Sequence, residues 1–238
     1  QQVLDEWPES EYVCNAKAGF IKADIHDGYD EAAMTGVDNL MAEYMENTGL
    51  PHAVFSFGEQ YWDLAQSEKR KLPKGRLAVR TKGDSEKMVY YYSEALSLWE
   101  RIINQLPESQ NLSTAYRMAA EASRSMGEHE TALQYFKAFV EKWPEDNYAG
   151  HCQFMVCSTY QSMAGKGIIT EEEAYKLMKN EYEKMVRDYP ENPQCRTVHA
   201  YINDYEINHN PVKVPLTVEE VIKMIESDEN SQVKGGTK

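Results

Sequence analysis

The sequence predicts an all-α protein built from stacked helical hairpins. Three segments share one amphipathic pattern that ends in proline, at residues 92–107, 129–144 and 174–190. Glycine and proline, at 13 and 9 of 238 residues, are too few for a loop-rich β protein. A hydrophobic fraction of 42% can supply a buried core. No run of about 18 apolar residues occurs, so no membrane-spanning segment is predicted.

An aromatic residue stands eight positions before the terminal proline in each segment. In the first two segments an alanine stands four residues before that aromatic, as Ala95 precedes Trp99. Residues four apart share one face of a helix, so the alanine allows close approach of a neighbour and the aromatic fills the adjacent gap. Proline ends each helix because it disfavours helical geometry in the residue before it. The aromatics are Trp99, Phe136 and Tyr182, and the prolines are Pro107, Pro144 and Pro190.

The best copy of this pattern, Ser113 to Asp146, resembles the tetratricopeptide repeat (TPR) family. The matching positions are Tyr116, Ala119 and Ala120 in the first helix, Gly127 at the turn, and Ala132, Phe136 and Pro144 in the second helix. Phe139 departs from the family, which usually has alanine there. The resemblance implies a right-handed superhelix of hairpins that binds other proteins.

Four regions are expected along the chain. Residues 1–28 are predicted to be an extended arm, and residues 29–87 a helical hairpin followed by a basic linker. The TPR repeats with a closing helix are placed at 88–210, and a C-terminal extension with a short helix at 211–238. In the second region the predicted helices are Asp30–Asn47 and Ala53–Lys71. Thr170 with Glu173, and Thr217 with Glu220, are predicted to be capping boxes.

Charge is distributed unevenly. The chain has a net charge of −14, which argues against nucleic acid as a partner. One stretch nevertheless carries seven basic residues and no acid: Lys69, Arg70, Lys71, Lys74, Arg76, Arg80 and Lys82. Two interpretations remain open, a solvated linker and a contact strip for an acidic surface, which could belong to another copy of this protein.

The TPR resemblance also implies a concave binding groove lined by the first helix of each repeat. Carried over to this sequence, one helix would contribute Arg117, Glu121 and Arg124, and the next would contribute Tyr148, His151 and Met155. The Lys and Asn residues with which some family members clamp C-terminal carboxylates are absent here.

No pattern for catalysis, metal binding or a cofactor stands out. The cysteines form no CxxC or zinc-ligand spacing, and their expected role is as small core residues. Phosphate-loop, GxSxG, HExxH and calcium-loop motifs are missing. Tyr90, Tyr91 and Tyr92 fit a binding platform and a buried helix start equally well. A non-enzyme without a cofactor is therefore expected.

The expected function is a protein–protein interaction scaffold or assembly subunit of a larger complex. The alternative is a peptide-binding TPR adaptor or co-chaperone that uses the concave groove. The pattern also resembles bacterial cell-envelope TPR proteins. Because the sequence begins Gln1-Gln2, it either follows a removed signal peptide or starts partway along a chain. An exported or periplasm-like location is expected, with the cytoplasm as the alternative.

Overall fold

The computed structural model describes Glu6 and residues 12–72, 82–209 and 217–223. In these ranges the chain forms helices and no strand. The helices are α1 (Val13–Asp27), α2 (Asp30–Tyr44), α3 (Leu50–Lys71), α4 (Lys82–Gln105), α5 (Leu112–Met126), α6 (His129–Lys142), α7 (Ala149–Gly165), α8 (Glu171–Asp188), α9 (Cys195–His209) and the short α10 (218–223). None of these helices has the length and apolar character needed to cross a bilayer. The predicted all-α hairpin fold is confirmed.

The prolines end their helices as predicted. Helices α4, α6 and α8 each stop two residues before Pro107, Pro144 and Pro190, respectively. The residue before proline cannot easily stay helical, which sets these three ends locally. Gly127 makes the turn after α5 in the left-handed conformation, with φ of 90°. Its successor Glu128 donates its backbone N–H to Ser123 O at 2.9 Å, which closes the helix end.

Both predicted capping boxes are present. Thr170 Oγ1 accepts the backbone N–H of Glu173 at 3.1 Å, and Glu173 Oε2 accepts the N–H of Thr170 at 2.8 Å. Thr217 and Glu220 make the same pair of contacts at 3.2 and 2.6 Å. These bonds satisfy backbone donors that the first turn of a helix leaves unpaired. Residues 211–216 and 224–238 of the predicted C-terminal extension lie outside the described residues.

The N-terminal region differs from the prediction in three ways. Residues 13–27, expected to be part of an extended arm, form helix α1, which ends at Gly28 with φ of 80°. Helix α1 packs against α2, and α3 packs chiefly against α4, so α2 and α3 are not the main partners of one hairpin. Helix α4 begins at Lys82, inside the region expected to be linker. The pairing of the helices differs from the prediction because it depends on contacts between distant residues.

The chain divides into two compact units, residues 1–132 and 133–238. In the first unit, α1 packs on α2 and α3, α3 on α4, and α4 on α5. In the second unit, α8 packs on both α7 and α9. All four cysteines are buried free thiols, as expected of core residues.

The core of the first unit depends on a close approach between α3 and α4. Trp99 is fully buried, and its indole lies directly over Gly58. An ideal Cβ at Gly58 would be 2.5 Å from Trp99 Nε1 and 2.8 Å from Cε2. Phe55 and Trp62 surround the same indole, with ring centroids 6.1 and 6.0 Å away. Only glycine at position 58 leaves room for this packing.

We predict that Gly58→Ala lowers the free energy of unfolding by about 1–3 kcal/mol, because the added methyl group overpacks the core. Urea denaturation measures the change. Gly19→Ala in α1 is the matched control, since a Cβ there meets no atom within 4 Å. The control is expected to be neutral or to stabilise by up to about 1 kcal/mol. Equal stability of the two variants would contradict the role of Gly58.

Candidate protein-binding surface

Tyr92 joins three helices of the first unit. It lies on α4 and is fully buried, and its hydroxyl accepts a hydrogen bond from Gln66 Nε2 of α3 at 3.0 Å. Ser125 of α5 also hydrogen-bonds to the Tyr92 side chain. Burial raises the pKa of the phenol, while these two hydrogen bonds act in the opposite direction. Tyr92 is therefore a structural link, and of the three consecutive tyrosines only Tyr90 is substantially exposed, at 39%.

The described part of the predicted basic strip is the last turn of α3. Lys69, Arg70 and Lys71 are all exposed there. Lys71 Nζ lies 2.8 Å from Glu68 Oε1, and Lys87 Nζ of α4 lies 3.9 Å from the same oxygen. We call Lys69 and Arg70 the basic end of α3. Because Gln66 lies three and four residues before them, the Tyr92 link holds the helix within about one turn of the basic end.

The side chains of the other four basic residues of the predicted strip are not described. Lys74, Arg76 and Arg80 lie outside the described residues, and Lys82 is described only as the first residue of α4. Their contribution to a binding surface therefore stays a prediction from sequence.

The predicted groove residues of α5 belong to the same unit as the basic end of α3. Arg117, Glu121 and Arg124 are all partly buried. Glu121 lies close enough to Tyr92 for its charge to raise the pKa of the phenol. Glu121 and Arg124 also stand within about one turn of Ser125, the second partner of Tyr92. Of the predicted groove residues of α5, Glu121 is thus the one that lies near the Tyr92 link, while the groove assignment itself stays a prediction.

The α7 set is less accessible than the sequence suggested. Tyr148 is 51% exposed. His151 is partly buried, and its Nδ1 lies 3.2 Å from Gln194 Oε1. Met155 is only 7% exposed, so its side chain belongs to the core instead of a groove surface. A Cβ at Gly150 would meet Asn192 Nδ2 at 2.6 Å, which shows how closely the α8–α9 connection covers the start of α7.

A buried ionic network in the second unit was missed by the sequence analysis. Glu181 of α8 is 5% exposed, and its Oε2 accepts a hydrogen bond from Gln153 Nε2 of α7 at 2.8 Å. Lys184 Nζ lies 3.2 Å from Oε2, and Lys137 Nζ of α6 lies 3.4 Å from Oε1. Lys137 also donates to Tyr160 Oη at 2.8 Å. Glu181 stands one residue before Tyr182, the aromatic residue of the third segment. This position next to a core residue was the sequence signal for its burial.

The network controls the protonation of Glu181. Burial alone would raise its pKa, but the hydrogen bonds from Gln153 and Lys184 and the charge of Lys137 outweigh burial and hold the pKa below its usual value. The carboxylate therefore stays charged inside the unit.

Among the described residues, no group of three or more His, Cys, Asp or Glu side chains is arranged to hold a metal ion.

No protein-family model matches the chain, and no curated protein sequence matches it either. The chain is similar in structure to TPR-like repeats. Two solved structures of nearly identical TPR-like repeats from Podosopora anserina, described as those of a putative kinesin light chain, match it with a TM-score of 0.43 and 12% identity. The first matches over 95% of this chain and 99% of that one; the second matches over 94% and 98%.

The hairpin architecture rests on the helices and contacts described above, independently of this similarity. The pattern-level resemblance to bacterial cell-envelope TPR proteins stays a prediction, as do the predicted compartment and the groove and strip assignments.

We predict that Tyr92→Phe lowers the free energy of unfolding by about 0.5–1.5 kcal/mol, because it removes the acceptor of Gln66 and the partner of Ser125. Urea denaturation is the measurement. Tyr29→Phe is the control, since the Tyr29 side chain is 63% exposed, and it should change stability by less than about 0.5 kcal/mol. An unchanged Tyr92→Phe variant would show that the hydroxyl link is dispensable.

We also predict that Glu181 makes stability fall in acid. Because its pKa in the folded state lies below the ordinary value of 4.5, its contribution is present above pH 4.5 and is lost as the pH falls through the lowered pKa. Glu181→Gln should therefore show a smaller loss of unfolding free energy between about pH 6 and pH 3 than the wild type. Glu183→Gln, an exposed position on the same helix, should retain the wild-type slope. Parallel pH profiles for all three proteins would refute this role.

Proposed function

We propose that this chain is a noncatalytic scaffold that binds another protein through the basic segment of residues 69–82, which starts with the basic end of α3. One observation carries the proposal: two exposed cations, Lys69 and Arg70, end a helix that Tyr92 ties to its neighbours. A helix held in place loses less conformational freedom on binding than a free segment does. The expected partner surface is acidic, because opposite charges steer association and select the partner.

The accessibility of the groove residues favours this surface over the peptide-adaptor alternative. Met155 and His151 of the α7 groove set are engaged within the chain, because Met155 is in the core and His151 contacts Gln194. A peptide in the groove would have Tyr148 as its most exposed contact from this helix. The basic end of α3 has no comparable cover in the described residues. A stable complex subunit is therefore the better proposal than a transient adaptor.

The test is charge reversal at the basic end of α3. A partner recovered from native extract in stoichiometric amounts is purified and titrated against wild type and the Lys69→Glu/Arg70→Glu variant. We expect binding to weaken at least about tenfold in the variant and also in about 0.5 M salt, where exposed charges more than a few ångströms apart are screened. Short competing peptides should not displace the partner.

The control variant is Lys22→Glu/Arg196→Glu, which changes the net charge equally at exposed positions elsewhere. It should bind the partner as the wild type does. Equal binding by all three proteins would overturn the basic end as the contact surface. Displacement by short peptides would favour the groove-based adaptor instead.

A further inference from the structure

A cleft in the second unit has the opposite charge to the basic segment of residues 69–82. It has a volume of about 580 Å³ and lies between the end of α6, the α6–α7 connection and the end of α8. Half of its eight lining residues are acidic and none is basic. The acids are Glu141, Glu145, Asp146 and Asp188.

Internal hydrogen bonds fix the lining of the cleft. Tyr189 Oη donates a hydrogen bond to the backbone oxygen of Pro144 at 3.2 Å, which ties the end of α8 to the α6–α7 connection. Asp146 Oδ1 accepts the backbone N–H of Tyr148 at 2.8 Å and fixes the other side of that connection. A binding partner would therefore meet a preformed surface, which reduces the entropy cost of association.

The electrostatics of the cleft favour a cation. Burial raises the pKa of the Tyr189 phenol, and the negative charges of Asp188 and Glu145 nearby raise it further. Helices α6 and α8 also end here, and the C-terminal end of a helix carries partial negative charge. Arg187 pairs with Asp188 at 2.9 Å and offsets part of its charge, whereas Glu141 and Glu145 are both exposed at the cleft.

The chain itself carries a fitting ligand. Residues 69–83 contain seven basic residues without an acid, whereas every other acid-free stretch of the sequence contains at most two. Its aliphatic side-chain stems can cover the apolar part of the cleft, formed by Val140, Pro144 and the ring of Tyr189. The charge and the chemistry of the two surfaces are thus complementary.

We propose that the basic segment of one molecule, residues 69–82, docks in this acidic cleft of a second copy. The inference rests on the proposed function and names the partner of the same basic surface. The basic segment and the cleft are different surfaces, so the contact is heterologous. Each molecule offers one basic segment and one cleft, and copies add head to tail. Association then grows with concentration and is sensitive to salt.

The experiment is multi-angle light scattering of the full chain over a range of concentrations, with reversal of either surface. We expect wild type to associate, and Lys69→Glu/Arg70→Glu and Glu141→Lys/Glu145→Lys each to weaken association at least about tenfold. Glu108→Lys/Glu183→Lys, with the same charge change at exposed positions outside the cleft, should associate as the wild type does. Circular dichroism establishes that each variant is folded, and Glu141→Gln/Glu145→Gln provides a milder form of the cleft change.

Mixing the two reversed variants gives the decisive result. The strip variant keeps its cleft and the cleft variant keeps its strip, so an equimolar mixture should form a one-to-one complex although neither variant associates alone. Absence of that complex, a monomeric wild type, or association unaffected by the cleft change would each overturn the inference. If wild type is monomeric and the basic end still binds a different protein, the inference fails and the proposed function stands.

Discussion

The close contact between Trp99 and Gly58 sets the spacing and register of α3 against α4, and the candidate binding surface depends on it. Gly58, Trp62 and Gln66 lie four residues apart along one face of α3, while Trp99 and Tyr92 lie seven apart on α4. With Trp99 seated over Gly58, the antiparallel helices bring Trp62 against Tyr92 at 5.1 Å between ring centroids and Gln66 to the Tyr92 hydroxyl. The basic end of α3 follows one turn later.

A polar contact joins the helices of the second unit, whereas the apolar contact of Trp99 with Gly58 joins α3 and α4 in the first unit. Glu181 receives hydrogen bonds or ion pairs from α6, α7 and its own helix, so one carboxylate links three helices. A buried charge is costly unless it is fully paired, and here the pairing keeps the carboxylate ionised. The same unit presents other acids on the surface, where four of them line the cleft between α6 and α8.

Charge is divided between two parts of the chain. The basic segment leaves the end of α3 in the first unit, and the acidic cleft lies in the second. A chain of net charge −14 with one concentrated basic stretch is suited to selective contact with acidic surfaces. Both proposals place a contact on the basic segment, but only the self-association proposal also requires the acidic cleft.

Local features of the sequence predicted much of the fold. The proline-terminated segments, the turn at Gly127 and the two capping boxes could be read directly, because each depends on residues within one or two helical turns. Helix α1 was missed, although Val13, Ile21 and Ile25 at helical spacing and the terminating Gly28 were available signals.

The sequence by itself determined where most helices form and end, because propensity, capping and proline geometry act locally. Only the tertiary structure decided which helices pair, because that choice depends on contacts such as Trp99 with Gly58 between residues far apart in the chain. For the same reason the burial of Met155 and Glu181 could not be read from their neighbours. The acidic cleft also forms only when the ends of α6 and α8 are brought together.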